Sequence, residues 1–310
     1  MTLNGQARNQ RPLRVALGYF DSLHRGHAAV IRRAVERSDD DGCEAAVITF
    51  DMSVLRPGGK TPEDVMSLEH RSEQIGAMGV HRVIALDFRS VAGLSGQEFV
   101  ENILVGVYQA RGVCCGVDFR FGADRSSGSD QLAQLCGRYG LTLDLVQPVL
   151  YEGQPISSTR IKQAVARGDM RAAGEMLGRS YSQKLTVYQD RQLATKLGFP
   201  TINQLFPECL VCPRYGVYRT RVIIDGRQYD AVSNIGHRPT VTSQAGGIVL
   251  ESHILDYKGN LYGRDLEVSF VEFMRDEQRF DDITSLKAAV ERDIEQVRRQ
   301  SCGAAQCGPV

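Results

Sequence analysis

The chain carries no excess of charge of either sign. Its 37 Lys and Arg are matched by 37 Asp and Glu, so no global field draws it to nucleic acid or to an anionic membrane, and any phosphate it binds must be held locally. It also lacks an apolar run approaching the roughly 20 residues of a membrane span. The polar start, Met1 to Arg11, has no apolar core of the kind a signal peptide needs. The expectation is a cytoplasmic protein whose partners are small molecules, with no nucleic acid and no membrane among them. Internal repeats and low-complexity segments are absent. So is a second cysteine pair at metal-ligand spacing. Cys209-Leu-Val-Cys212 has the spacing of half a zinc site, but Cys302 and Cys307 fall in a Gly-rich tail and several of the other cysteines lie in apolar segments, as buried thiols do. Structural zinc is therefore not expected.

What is present is 310 residues, enough for about two domains. From Leu13 to about Val146 short apolar runs alternate with amphipathic stretches. Strands are expected at Leu13 to Leu17, Ala45 to Phe50, Arg82 to Leu86, Gly112 to Gly116 and Leu141 to Val146. Helices are expected at Ala28 to Arg37, Ser67 to Met78, Gly96 to Gln109 and Ser129 to Tyr139. Strands separated by helices imply a doubly wound α/β domain with a parallel sheet and ligands at the carboxyl ends of its strands.

Ile161 to Leu177 reads as further helix, and then the texture changes. From Tyr181 the chain becomes β-branched and aromatic between Gly, Pro and Asp, with strands expected at Thr186 to Tyr188, Gly216 to Ile224, Tyr229 to Asn234, Val249 to Leu255 and Leu266 to Phe273. This spacing suggests a small antiparallel β-barrel. The last element, Ile283 to Arg299, should be a helix packing Leu286, Val290, Ile294 and Val297 onto it. The division expected is 12–179 and 180–300, with mobile ends at 1–11 and 301–310.

The segment richest in chemistry follows the first strand. Gly18-Tyr-Phe-Asp-Ser-Leu-His-Arg-Gly-His27 is a Gly-containing turn that ends on two histidines at a helix start. Glycines let the backbone approach a ligand, a helix N-terminus offers N–H groups to an anion, and two imidazoles there can donate to phosphate oxygens whose charge grows as an α-phosphate is attacked. A single such histidine would read as a surface residue. Ile156-Ser-Ser-Thr-Arg-Ile-Lys162 sets three hydroxyls before an amphipathic run, as a helix cap or as a phosphate site completed by Arg160 or Lys162. Asp118-Phe-Arg-Phe-Gly122 offers a carboxylate and two rings after the fourth strand, or core aromatics with a salt bridge. In the second domain Gly198-Phe-Pro-Thr201-Ile-Asn203 presents two oxygen-bearing side chains suited to a hard cation such as Mg2+, or an ordinary Pro turn with a capping Asn. Glu251 and His253 alternate along a strand and share a face, where they are base and orienter for a hydroxyl nucleophile or a plain surface pair.

In this order the pieces resemble the bacterial bifunctional riboflavin kinase/FMN adenylyltransferase family, the prokaryotic FAD synthetases, over roughly Leu13 to Arg298. Further carriers are Leu177-Gly-Arg-Ser-Tyr181, Gly216-Val-Tyr218 and Asn234-Ile-Gly-His-Arg-Pro-Thr240. The resemblance implies an N-terminal nucleotidyltransferase domain that joins FMN to the AMP part of ATP, and a C-terminal barrel that phosphorylates riboflavin with ATP and Mg2+. It implies that His24 and His27 stabilise the triphosphate; that Gly18, Phe20, Asp21, Gly26, Asp118, Ser157, Ser158, Thr159, Arg160 and Lys162 form the ATP and phosphate site; and that Thr49, Phe50, Phe119 and Phe121 lie toward the flavin. In the barrel, Thr201 and Asn203 would hold Mg2+, and Glu251 would be the base for the riboflavin 5′-hydroxyl. FMN, FAD and riboflavin are then substrates or products.

Departures from the family pattern carry their own expectations. The barrel's phosphate loop has three glycines in the family, whereas this chain reads Leu185-Thr-Val-Tyr-Gln-Asp190-Arg-Gln-Leu-Ala194-Thr195. Leu185 and Ala194 add Cβ atoms where backbone must approach phosphate. Asp190 adds a negative charge, and one like-charge contact at about 4 Å costs roughly 4 kcal/mol at an effective dielectric near 20. An impaired kinase is expected, against the alternatives of a fully bifunctional enzyme or a flavin-binding paralogue without turnover. Ser22 stands where the family has Gly, Lys162 where it has Arg, and Met52 to Val54 where it continues as Asp-Pro-His-Pro, so the acceptor end of the first site is expected to differ.

Overall fold

The computed structural model describes residues 11–51, 63–189, 199–238 and 247–305. Its contacts divide the chain into two units, Met1–Pro62 with Ser67–Ser157, and Glu63–Met66 with Ser158–Val310.

The first unit is a five-stranded, all-parallel sheet of β1 (Leu13–Leu17), β2 (Glu44–Asp51), β3 (Arg82–Asp87), β4 (Ala110–Gly116) and β5 (Thr142–Val146), in the order β3-β2-β1-β4-β5. Every residue of β1 is buried, as a central strand covered on both faces requires. Helices α1 (Arg25–Asp41), α2 (Leu68–Gly76), α3 (Phe88–Val91), α4 (Gly96–Glu98) and α5 (Ser129–Tyr139) make the crossovers. A short hairpin of β6 (Leu150–Tyr151) and β7 (Gln154–Pro155) ends the unit. The chain runs outward from β1 through β2 to β3 and then returns to the other side of β1 for β4. The strand order therefore reverses between β1 and β4, which opens a crevice beyond the carboxyl end of β1.

The helix expected over Gly96 to Gln109 is α4 continued by a π-helix, Phe99–Val107, with Tyr108 N–H reaching back to the Ile103 carbonyl at 3.1 Å. Its wide turn places Phe99, Val100 and Leu104 in one core with Leu13, Val15, Ile48, Val113, Phe121 and Leu132. At the other end of the sheet Arg14, only 2% exposed, pairs with Asp41 and lies 3.6 Å from Asp144, which also accepts from Arg33 and Arg37 at 3.0 and 3.1 Å.

In the second unit α6 (Ser158–Arg167) and α7 (Met170–Leu177) replace the single helix expected over Ile161 to Leu177. Gly168 turns left-handed (φ 79°), and the Asp169 side chain accepts from the Ala172 N–H at 2.9 Å to start a new helix. Both helices group with the barrel, whereas the change of texture near Gly178 to Ser182 divides the chain after them.

The barrel closes six antiparallel strands, β8 (Tyr181–Tyr188), β9 (Ile202–Phe206), β10 (Gly216–Ile224), β11 (Arg227–Arg238), β12 (Gly247–Ile254) and β13 (Asp265–Arg275), in the order β10-β11-β12-β9-β8-β13. Helix α8 (Ile283–Ala305) extends past the expected end at Arg299, and Ser301 Oγ donates to Asp230 at 2.6 Å. Residues alternate along the strands. Tyr218, Leu250, Val268 and Phe270 point inward, together with a polar row in which Ser233 Oγ is 2.6 Å from Thr220 Oγ1 and donates to Ser252 Oγ at 2.7 Å.

Candidate functional site

The turn after β1 is built by backbone geometry that the sequence does not advertise. Phe20 (φ 53°) and Leu23 (φ 47°) both adopt left-handed conformations although neither is glycine, a local cost that surrounding contacts must offset. Ser22 is fully buried and needs no such conformation, so the Gly-to-Ser departure is accommodated. The space over Gly18 is filled by the chain itself, since a Cβ there would lie 2.8 Å from the Phe20 ring.

His24 is the N-cap of α1. Its Nδ1 accepts from the His27 N–H at 3.1 Å, which in the neutral ring leaves the proton on Nε2. The two imidazoles stack with centroids 3.6 Å apart and planes 15° from parallel, and Phe20 meets the His27 ring edge-on at 5.3 Å. A Cβ on Gly26 would come within 3.0 Å of the His24 ring, so glycine at this position gives that ring its place. No acidic residue stands in the first turn of α1, and the positive end of the helix dipole is not offset by the helix itself. Asp21 is buried beside this turn.

The flanking residues divide into rim and support. Thr49 is fully buried and donates through Oγ1 to the Tyr19 carbonyl at 2.7 Å. Phe50 is half-buried and packs edge-on against Phe88. Phe121 belongs to the core, and half-buried Phe119 stacks on it with centroids 5.7 Å apart. Asp118 is exposed just beyond β4, with its carboxylate over Gly116. Ser158, Thr159, Arg160 and Lys162 lie in the first turn or two of α6, with Ser157 immediately before it. Met52 to Val54 lie outside the described residues. The residue that sequence reasoning missed is Arg71 on α2, which is buried against the same turn; a lone Arg in a polar helix gives no signal for this.

In the barrel, strand pairing draws the candidate residues into one row. Glu251 on β12 stands opposite Asn203 on β9 and opposite Asn234 on β11. Directly paired residues share a face, and Thr201 precedes Asn203 by two. Asn203 is 7% exposed, and its Oδ1 has no hydrogen-bond partner among the described residues. A buried, unsatisfied amide oxygen beside a carboxylate and a hydroxyl fits a hard cation such as Mg2+. His253 is engaged elsewhere, with Nδ1 2.9 Å from the Pro200 carbonyl and its ring edge-on to Phe199. Leu185, expected to crowd a phosphate, is instead buried in the barrel, where its carbonyl accepts from Gln204. Asp190, Ala194, Gly198 and Pro239 to Thr240 lie outside the described residues.

Known proteins place both units. The FAD synthetase family profile matches residues 6–160 and the riboflavin kinase profile residues 177–301. The bifunctional riboflavin kinase/FMN adenylyltransferase of Pseudomonas fluorescens is 37% identical over 286 residues, covering 91% of each chain. That of Escherichia coli K12 is 33% identical, covering 90% of each, and that of Listeria monocytogenes is 31% identical, covering 92% of this chain and 91% of its own. A crystal structure described as a macrolide-efflux protein from Streptococcus pneumoniae superposes with a TM-score of 0.82 at 27% identity, over 95% of both chains. With both profiles matched in order and a relative 37% identical over 91% of each chain, the chain belongs to the bifunctional riboflavin kinase/FMN adenylyltransferase family.

Proposed function

We propose that the first unit transfers the adenylyl group of ATP to FMN, giving FAD and pyrophosphate, and that the barrel phosphorylates riboflavin with ATP. The observation that carries the first half is the His24–His27 stack, fixed at the N-terminus of α1 on the carboxyl edge of a doubly wound sheet. In the transfer, a phosphate oxygen of FMN forms a bond to the α-phosphorus as the bond to the β-phosphate oxygen breaks and pyrophosphate leaves. FMN brings its own nucleophile, so the protein's task is alignment and charge stabilisation.

His24, through Nε2–H, and His27 donate to the phosphate oxygens, and the N-terminus of α1 adds its dipole. Gly18, Phe20, Asp21, Gly26 and Asp118 shape the nucleotide's surroundings. Phe50 and Phe119 offer rings to the flavin, with Thr49 and Phe121 behind them. The family resemblance assigns Ser157, Ser158, Thr159, Arg160 and Lys162 to phosphate binding.

In the barrel, Glu251 takes the proton of the riboflavin 5′-hydroxyl, and Thr201 and Asn203 would hold Mg2+. When bound, that ion neutralises phosphate charge during phosphoryl transfer. The substitutions at Asp190 and Ala194 lower the kinase rate relative to the adenylyl transfer.

The deciding experiment incubates the purified protein with ATP and Mg2+, first with FMN and then with riboflavin. Formation of FAD with pyrophosphate, and slower formation of FMN with ADP, is expected. Tight flavin binding with neither product overturns the enzymatic reading in favour of a binding protein.

A further inference from the structure

Arg71 is among the largest fully buried side chains of the protein, 2% exposed, although it is charged and lies on a helix that reads as solvated. Its Nη1 donates to the Tyr19 carbonyl at 2.9 Å and its Nη2 to the Phe50 carbonyl at 3.2 Å. The guanidinium also lies 5.1 Å from the centroid of the Tyr19 ring. Among the described residues no carboxylate is within ion-pair distance of it, and its Nε has no hydrogen-bond partner. A buried cation without a counter-charge destabilises a fold unless it serves something else.

What it touches suggests the service. The Tyr19 carbonyl accepts two hydrogen bonds, one from Arg71 and one from Thr49. Together they fix the peptide plane joining Tyr19 to Phe20. Phe20, the next residue, takes a left-handed φ and sets its ring against His27, which in turn stacks on His24. Through Phe50, the same guanidinium holds the end of β2, where the flavin contacts are assigned. A planar fork can span two carbonyls in fixed geometry, whereas an ammonium cannot reproduce both bonds in the same plane.

We propose that Arg71 is a positioning residue for adenylyl transfer, pinning the Tyr19 and Phe50 carbonyls so that the histidine pair and the acceptor edge of the first unit are held in fixed register. This rests on the adenylyltransferase reading of the first unit. Arg71 touches no reacting atom, and its effect passes through the strained turn. Misplacing reacting groups by about 1 Å costs on the order of 100-fold in rate, and groups that act on transition-state charge alter kcat more than KM.

The test compares the full-length protein with Arg71→Met and Arg71→Lys in two measurements. In the first, FAD formation, both variants are expected to lose kcat, the Met variant on the order of 100-fold, with KM for ATP little changed. The second reads the imidazole Cε1–H signals by NMR, where stacking of His24 on His27 gives mutual ring-current shifts that should collapse in Arg71→Met. Wild-type kcat and wild-type histidine signals in Arg71→Met would overturn the proposal, and so would full recovery of both by lysine, since an ammonium cannot span the two carbonyls. If the Met variant does not fold, Arg71→Lys alone decides between these results. A wild-type protein that makes no FAD would remove the adenylyltransferase reading, and the NMR signals would still decide whether Arg71 sets the stack.

Discussion

Glu251 on β12 faces Asn203 on β9 across a single hydrogen-bonded ladder, and two antiparallel strands thereby bring a carboxylate beside a buried, unsatisfied amide oxygen. Glu251→Gln keeps the shape and removes the proposed base. Riboflavin phosphorylation should fall by about 100-fold or more, while FAD formation from FMN stays at the wild-type rate. Equal loss of both activities would deny the barrel its own site.

Asn203→Ala removes the unsatisfied oxygen, and with it a buried polar group that costs stability in the absence of a ligand. The variant should melt no lower than wild type without Mg2+ and need more Mg2+ for half-maximal kinase activity. A titration of kinase rate against Mg2+, paired with thermal melts, checks both halves.

His24 is a helix cap and, in the function proposed, a phosphate donor, and two substitutions separate these roles. His24→Ala should lose about 1 kcal/mol of stability and about 100-fold or more in adenylyl transfer. His24→Asn should recover the stability, because asparagine caps well, but not the rate. Urea denaturation and FAD formation measure the two.

Asp144 accepts from Arg33 and Arg37 and faces buried Arg14. Asp144→Ala leaves Arg14 with Asp41 as its carboxylate partner among the described residues and should cost about 3 kcal/mol, as when a buried pair loses one partner. A lowered urea midpoint with an unchanged slope is the expected result. Arg33 and Arg37 are more exposed, and changes there should matter far less.

Burial pushes the Cys114 and Cys115 thiols up to about 12 and that of Cys136 up to about 11. These groups keep their protons in the folded chain at pH values where the unfolded chain has lost them. Stability should therefore fall as pH rises through the ordinary thiol range toward these values. Iodoacetamide at pH 8 should leave all three unmodified in the native protein and label them in urea, as peptide mass mapping would show.

Much of this molecule was written plainly in its sequence. β1 runs over Leu13 to Leu17 and α5 over Ser129 to Tyr139, as hydrophobic period and turn residues require. The parts that were not legible have physical causes. β9 hides because Asn203 and Gln204 interrupt its apolar pattern, the Gln204 Nε2 donating inside the barrel to the Leu185 and Leu266 carbonyls. The break at Gly168 hides because a glycine within a helical period is ambiguous until Asp169 is seen to cap the next helix. In the candidate site, the paired histidines and the Glu251 row follow from motif and alternation. Arg71 could not be read, because its hydrogen bonds go to carbonyls 52 and 21 residues away in the chain.

The closure of the barrel bears on how copies of this chain meet. Among the described residues each of its six strands has a neighbour on both sides, although β8 and β9 meet only at Val187 and Tyr188, so closure leaves no strand as a full-length free edge onto which a second molecule could add. Outside the short β6–β7 hairpin, the strands with one open side among the described residues of the first unit are β3 and β5, and these carry Arg82 and Asp87 on one and Asp144, held by arginines, on the other. Charged edges resist edge-to-edge pairing. Concentrated solutions of the protein should therefore be guarded against fibrous aggregation by the barrel's topology and by the charge on the two sheet margins.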